Sequence, residues 1–371
     1  MKNVLRRAIM SVPVSAAALL SSTGTGLAAV AAPEVPVAQH IDGGEGGVCV
    51  SEARANAKPW TLQEMRASVP FTPANFARAL AKLTHAQRRD LRRQSAEAVR
   101  RGPCGGDGHL MAASPRVPAS SAPRVSPTAR RPDTGHAQDY RTIGKFFFNV
   151  AGILHFNCTA ATVNSNDHPN SNLVLTAAHC FNGDYGGVIY NTDDWQFAPD
   201  WSNNNAPYGM WQVYEDVWPR QWDPSGDGPL DGRYDYAVFI TKYLNAHSIG
   251  SQVGLNGWNA DAPNTGQVTI FGVPGNSSYM LENVTTAHGV HIGGYDYRTA
   301  STPGFADGAS GGPWFSSYSN SSELGIIIAD TGGYDAGGPT SSPSYSSFWG
   351  STYASLVANA SSIYPPGATP R

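Results

Sequence analysis

The sequence predicts an all-β domain over residues 139–371, preceded by a partly helical segment and a proline-rich linker. Three observations support this. From residue 139 onward, short β-prone runs alternate with turn clusters: Lys145 to Val150, Leu173 to Thr176, Ala237 to Thr241, Gln267 to Val273 and Leu324 to Ala329. No long amphipathic helix interrupts them until about Ser351 to Ser362. Before residue 139, in contrast, the strongest periodicity is helical. Many short strands at such spacing indicate a barrel or a sandwich.

Residues 1–32 begin with Lys2, Arg6 and Arg7, continue through an apolar stretch from Ala16 to Leu20 and end in small residues near Ala29-Val30-Ala31. That pattern is a secretory signal peptide, and its apolar part is too short and interrupted to be a permanent membrane helix. Arg6-Arg7 also permits twin-arginine export. The chain is expected to be secreted, with no membrane attachment after the signal is removed.

Residues 33–110 form a basic segment. From Thr72 to Arg101 a helical pattern puts Phe76, Leu80, Leu83, Leu91, Ala98 and Val99 on a common face, with Pro70 and Pro73 at its start and Gly102-Pro103 at its end. Its remaining positions are heavily basic, which suits a solvated face or a nucleic-acid patch. The charge balance favours a third reading. Residues 1–138 carry 18 Lys and Arg against 9 Asp and Glu, whereas residues 139–371 carry 7 against 19. A basic segment tethered to an acidic domain is drawn to it. The segment is therefore expected to be a propeptide whose partner is its own domain, docked to assist folding or to block a cleft, and no nucleic-acid partner is expected.

Residues 111–138 space Pro115, Pro118, Pro123, Pro127 and Pro132 among serines, alanines and arginines without apolar periodicity, as a linker does. Arg130-Arg131 suits a trypsin-like processing enzyme, which places the mature start near residues 132–142.

The chemistry is concentrated in Gly308-Ala309-Ser310-Gly311-Gly312-Pro313. Glycines let the backbone turn tightly, so successive N–H groups can face one concavity and stabilise a carbonyl oxyanion. A serine hydroxyl needs a base, usually a histidine held by a carboxylate. All ten histidines precede Ser310, which excludes the serine–acid–histidine order of α/β-hydrolases. The order histidine, acid, serine remains. His179 follows the apolar run Leu173 to Thr176 and sits beside Cys180, and Asp235 opens the hydrophobic run Tyr236 to Ile240. The blocks Thr176-Ala177-Ala178-His179-Cys180, Asp235-Tyr236-Ala237-Val238 and Gly308 to Pro313 resemble, in that order, those of the trypsin-like (chymotrypsin-fold) serine peptidases, in a secreted bacterial form. The resemblance covers roughly residues 139 to 371.

The resemblance implies two Greek-key β-barrels with a C-terminal helix. It implies a serine endopeptidase with His179, Asp235 and Ser310 as triad, the N–H groups of Gly308 and Ser310 as oxyanion hole, a polypeptide substrate and a monomeric state. No metal or organic cofactor is required. Four cysteines in an exported chain favour disulfides, with three pairings open. Cys158 with Cys180 is chosen because both lie in the β domain and bracket the segment leading to His179, and the resemblance implies the same pair. Cys49 with Cys104 then staples the propeptide.

Two departures matter. Ala309 stands where trypsin-like zymogens place an aspartate that receives the new N-terminal ammonium, and Asp307, two residues away, is only a weak substitute. Gly304 stands where trypsins place the acid of the specificity pocket, so no Arg or Lys preference follows. The candidate pocket residues are Gly304, Ile328 and Asp330, with His288 and His291 as outside candidates. Asp223, Asp227 and Asp231 form an acidic loop whose spacing misses the helix-loop-helix calcium pattern. Asn276 and Asn283 lie in glycosylation sequons that a bacterial-type export signal gives no reason to expect occupied. Two alternatives remain at this stage: a non-catalytic binding protein on the same scaffold, and an esterase using the same triad.

Overall fold

The computed structural model describes residues 47–52, 58–100, 104, 109–111, 119–124, 140–150, 152–165, 171–184, 189–222, 231–275, 277–305, 307–340 and 342–367. The signal peptide, Arg130-Arg131, Asp223, Asp227 and Asn276 lie outside them. The described residues belong to one compact unit, Gly44–Arg371.

In chain order the first elements are β1 (Val48–Glu52), α1 (Leu62–Ala67), β2 (Val69–Pro70), α2 (Pro73–Lys82), α3 (His85–Arg100), β3 (His109–Met111) and β4 (Ser120–Ser121). The main β domain follows with β5 (Ile143–Val150), β6 (Leu154–Thr162), β7 (Leu173–Thr176), β8 (Asn182–Asp184), β9 (Ile189–Pro199), β10 (Trp211–Pro219) and β11 (Ala237–Thr241). After α4 (Ile249–Val253) come β12 (Gly257–Asn259), β13 (Gly266–Gly272), β14 (Leu281–Ile292), β15 (Tyr295–Ala300), β16 (Pro313–Ser319), β17 (Leu324–Asp330), β18 (Ser344–Ser347) and the terminal helix α5 (Gly350–Ser361).

The first sheet closes on itself. Strands β10, β11, β7, β6, β5 and β9 neighbour one another in that order, and the pair Trp211↔Phe197 joins β9 back to β10. Strand β5 shows why such a sequence makes a barrel wall: all eight of its residues are buried. Phe146 and Phe148 point into a cluster with Phe156, Phe181, Phe197 and Phe239, while Phe147 packs on the other face against Trp60 and Trp201. An aromatic run of this kind is stable only where both faces are covered. The second sheet runs β18-β15-β14-β13-β16-β17-β12 and stays open as a half-barrel among the described residues. Helix α5 covers a second cluster, stacking Tyr353 on Trp349 at 3.9 Å between ring centres and packing against Trp258 and Tyr236. The all-β class and the C-terminal helix are as the sequence predicts.

The segment before residue 139 differs in two ways from its expectation. The helical pattern from Thr72 to Arg101 is two helices, broken at Leu83-Thr84, because Thr84 and Gln87 exchange side-chain and backbone hydrogen bonds and so start a new helix. The segment is also woven into the sheets. Strand β1 adds to the edge of β10, β2 pairs in parallel with β6, and β4 pairs with β12. Both expected disulfides form, Cys49–Cys104 and Cys158–Cys180.

The β1–β10 seam buries a carboxyl. Ser51 Oγ donates to Asp216, whose pKa is pushed up to about 8 from an ordinary 3.8, first by burial and further by neighbouring Glu215. A carboxyl raised on folding stabilises the fold fully below its ordinary pKa and loses that contribution as pH climbs through the raised value. Thermal stability is therefore expected to fall from pH 5 to pH 9, and Asp216→Asn should flatten that slope. Scanning calorimetry of the two chains across this range checks it; parallel slopes would count against a buried acid here.

Candidate active site

Strand β7 is four buried residues, Leu173 to Thr176, and it delivers Ala177 and then the single 3-10 turn Ala178–Cys180 that carries His179. The turn is pinned by the Cys158–Cys180 disulfide, with Cα atoms 6.5 Å apart, which ties it to the middle of β6. Closing a loop of this size contributes on the order of 3 kcal/mol. Asp235 lies just ahead of β11 and is 0 % exposed. Its Oδ1 accepts from the His179 main-chain N–H at 2.9 Å, and its Oδ2 accepts from the Gly333 N–H at 2.9 Å. The same Oδ2 lies 2.8 Å from His179 Nδ1. A carboxylate oxygen only accepts, so Nδ1 carries the hydrogen and Nε2 is the basic nitrogen.

Ser310 sits in a turn that only glycines allow. Gly308 and Gly311 have φ of 98° and 77°, in the left-handed region. A side chain on Gly311 would run into Thr176 Oγ1 and Thr159 O, and one on Gly312 into Phe271 O. The turn is held from several directions. Thr159 N donates to Ser310 O at 2.8 Å, Thr159 Oγ1 to Gly308 O at 2.9 Å, Gly311 N to Thr331 O at 2.7 Å and Gly275 N to Asp307 O at 2.7 Å. Thr159 directly follows Cys158, and Thr176 Oγ1 donates to Thr159 O at 2.8 Å. The serine turn and the histidine turn thus rest on the same two residues of the first barrel. Among the described residues no partner takes the N–H of Gly308 or Ser310.

A cavity of about 290 Å³ opens beside Ser310, walled by Phe305, Asp307, Ala309, Thr331 and Ser344, and by Phe71 and Thr72 from the basic segment. The expected pocket residues Gly304, Ile328 and Asp330 do not line it. Side chains alternate along β17, and Asp330 turns inward, where its Oδ1 accepts from Trp349 Nε1 at 3.1 Å. Burial, and then the Asp235 charge, hold its carboxyl well above the usual carboxylate range. Ile328 is core, and its carbonyl accepts from the buried Arg298. Sequence reasoning missed Phe305, Thr331 and Ser344, none of which belongs to a recognisable pattern. His288 and His291 lie on the β14–β15 hairpin, where His291 Nδ1 pairs with Asp296 Oδ1 at 2.8 Å in an exposed contact. Asp307 lines the cavity, and Ala309 is buried against Gly272 and Phe305. Cys158, His179 and Cys180 cluster closely, but both sulfurs are already spent on one another.

Comparison with solved structures gives the protease Anisep from Arthrobacter nicotinovorans at 27 % identity and TM-score 0.51, covering 61 % of this chain and 98 % of that one. The fold is that of the trypsin-like serine peptidases. The thermostable serine protease AL20 from an extremophilic microorganism shares this fold at 23 % identity and TM-score 0.50, over 61 % of this chain and 99 % of its own. No family model and no curated protein matches the sequence.

Gly332 makes the tight passage around Asp235. A Cβ there would lie 2.7 Å from Asp235 O and about as close to the carboxylates of Asp235 and Asp330, at 3.1 and 3.2 Å. Gly332→Ala should therefore push Asp235 off His179 and destabilise the fold by about 1–3 kcal/mol, as overpacking does. Urea denaturation together with the loss of the most downfield imidazole N–H proton signal checks this; an unchanged signal would mean that the carboxylate has other room.

Proposed function

We propose that the chain is a serine endopeptidase, secreted and made as a precursor. The observation that carries this is the hydrogen-bonded pair Asp235–His179, supported on the same residues of β6 and β7 as the turn bearing Ser310. The relative Anisep is a protease, which favours peptide hydrolysis over a binding scaffold.

In the proposed mechanism His179 Nε2 takes the Ser310 hydroxyl proton as Oγ attacks the peptide carbonyl carbon. Asp235 holds the imidazole by Nδ1–H and stabilises the imidazolium. The carbonyl oxygen, now negative, receives the N–H groups of Gly308 and Ser310, a pair of donors in which each is typically worth about 3 kcal/mol in the transition state. Collapse expels the amine, which takes the proton from Nε2, and leaves an acyl ester on Ser310. Water, deprotonated by the same nitrogen, hydrolyses the ester and restores the serine. Every step uses side chains and main chain of this protein. The basic segment is the propeptide on this reading, and scission of the proline-rich linker cuts its covalent link to the peptidase, whose mature chain begins near residues 132–142.

Ser310→Ala in the processed protein is expected to abolish both labelling by a fluorophosphonate and cleavage of a mixed peptide library. Labelling that survived would move the nucleophile elsewhere. Asp235→Asn should keep the fold and lower kcat by roughly 10⁴-fold, because an amide that donates to Nδ1 selects the wrong imidazole tautomer. A loss of less than about tenfold in steady-state peptide hydrolysis would remove Asp235 from the proposed role.

A further inference from the structure

The stretch from Ser68 to Phe76 runs straight across the cleft. Val69 and Pro70 pair in parallel with Phe156 and Asn157 of β6, and the Phe71 N–H donates to Asn157 O at 3.1 Å. Asn157 Nδ2 reaches back to Ser68 Oγ at 2.8 Å, and Asn75 Nδ2 caps Pro70 O at 2.8 Å. On the opposite wall the Pro70 ring fills the space above Gly275, where a Cβ could not coexist with it. Gly275 is the residue whose N–H holds the loop leading to Ser310. One short segment therefore bridges the first barrel and the serine loop.

Its side chains complete the cover. The Phe71 ring lies next to the His179 imidazole, nearly parallel at 16° and 6.4 Å between centres, and is itself 2 % exposed. Edge contacts to Phe148 and Phe156 at 5.3 and 5.0 Å, and to Phe76 of α2 at 6.0 Å, hold it there. Phe71, Thr72 and Ala74 form one wall of the cavity whose other wall carries Ser310 and Thr331. A polypeptide cannot lie between Asn157 and Gly275 while this segment is in place.

We infer that Ser68–Phe76 is a built-in blocker of the cleft, with Phe71 as its plug, and that release of this segment rather than scission of the linker is the activating event. The inference rests on the serine-peptidase reading above. Its second half follows from the anchors. Strand β1 pairs with β10 over five residues, the Cys49–Cys104 disulfide ties β1 to the chain beyond α3, and β4 with Arg124 pairs with Gly257–Asn259 and Leu255. All of these precede Arg130-Arg131, so a cut there leaves every one of them intact. The severed segment remains seated as a non-covalent inhibitor.

Two measurements on the full chain test this. In a Ser310→Ala background, the rate at which diethyl pyrocarbonate modifies His179 is followed by mass spectrometry. Phe71→Ala should raise that rate at least about tenfold, and Phe71→Leu, which keeps an apolar plug, should leave it within about twofold. Circular dichroism confirms that both variants are folded. If Phe71→Ala leaves His179 as protected as in the parent, the plug is overturned. Separately, the native chain is cut between Arg130 and Arg131. The two pieces should co-elute in size exclusion, and fluorophosphonate labelling of Ser310 should stay at the uncut rate until the smaller piece is digested away. Full labelling while the pieces still co-elute would overturn the inference. If His179 becomes reactive in Phe71→Ala but Ser310 never labels in any chain, the blocker stands and the peptidase reading falls.

Discussion

A carboxylate in a protein interior is sustainable only where hydrogen-bond donors replace the water it has lost, and the site is built around meeting that requirement for Asp235. Three donors converge on it: the main chain of His179, the ring of His179 and the main chain of Gly333. Two come from His179 and one from Gly333, so the requirement ties together the end of β7, the lead-in to β11 that carries Asp235 and the loop after β17. Gly332 stands in that loop because a Cβ there would lie 2.7 Å from the Asp235 main-chain oxygen and would crowd the carboxylates of Asp235 and Asp330. Asp330 has fewer donors. Asp330, with Trp349 Nε1 on one oxygen, is driven toward its neutral form by burial and by the neighbouring charge.

What was legible in the sequence follows from which constraints are local. The histidine, aspartate and serine blocks are short because each combines a strand end with small residues that let backbone and side chain approach closely, and such patterns survive as strings. The aromatic run at Phe146 to Phe148 and the strands at Leu173, Ala237 and Leu324 were legible because β-prone apolar runs bounded by turns have few other uses. The break at Leu83-Thr84 was a local signal too, a Thr with a Gln three residues later, but the apolar period runs across it and masked it. The pocket was not legible. Phe305, Thr331 and Ser344 come from three separate stretches, and what brings them together is the pairing of β15 with β18 and the bond from Gly311 N to Thr331 O. Asp330 had the right chemistry for a pocket wall and the wrong phase along β17.

The basic segment illustrates the same division. Its composition suggested long-range attraction to an acidic domain, a property that charge counting can reveal. The contacts that seat it are backbone pairing at β1 and β2 and the burial of Phe71 and Phe76, which depend on registers that no composition encodes. Attraction over a Debye length can bring such a segment to its domain, while short-range packing decides where it stops.

On the proposed precursor reading, the loop bearing Ser310 bears on how the chain is kept inert. In zymogens whose aspartate waits for a new N-terminus, the oxyanion turn is unformed until cleavage supplies the ammonium. Here Ala309 has no charge to offer and is packed against Gly272 and Phe305 instead. The turn is nevertheless held in the uncut chain, by Thr159 on the carbonyls of Gly308 and Ser310, by Thr331 on Gly311 and by the Gly275 N–H on Asp307 O. On the proposed precursor reading, a serine turn already held in the uncut chain leaves occlusion rather than disorder as the means of silencing it, and the Phe71 ring next to His179 is placed to provide that.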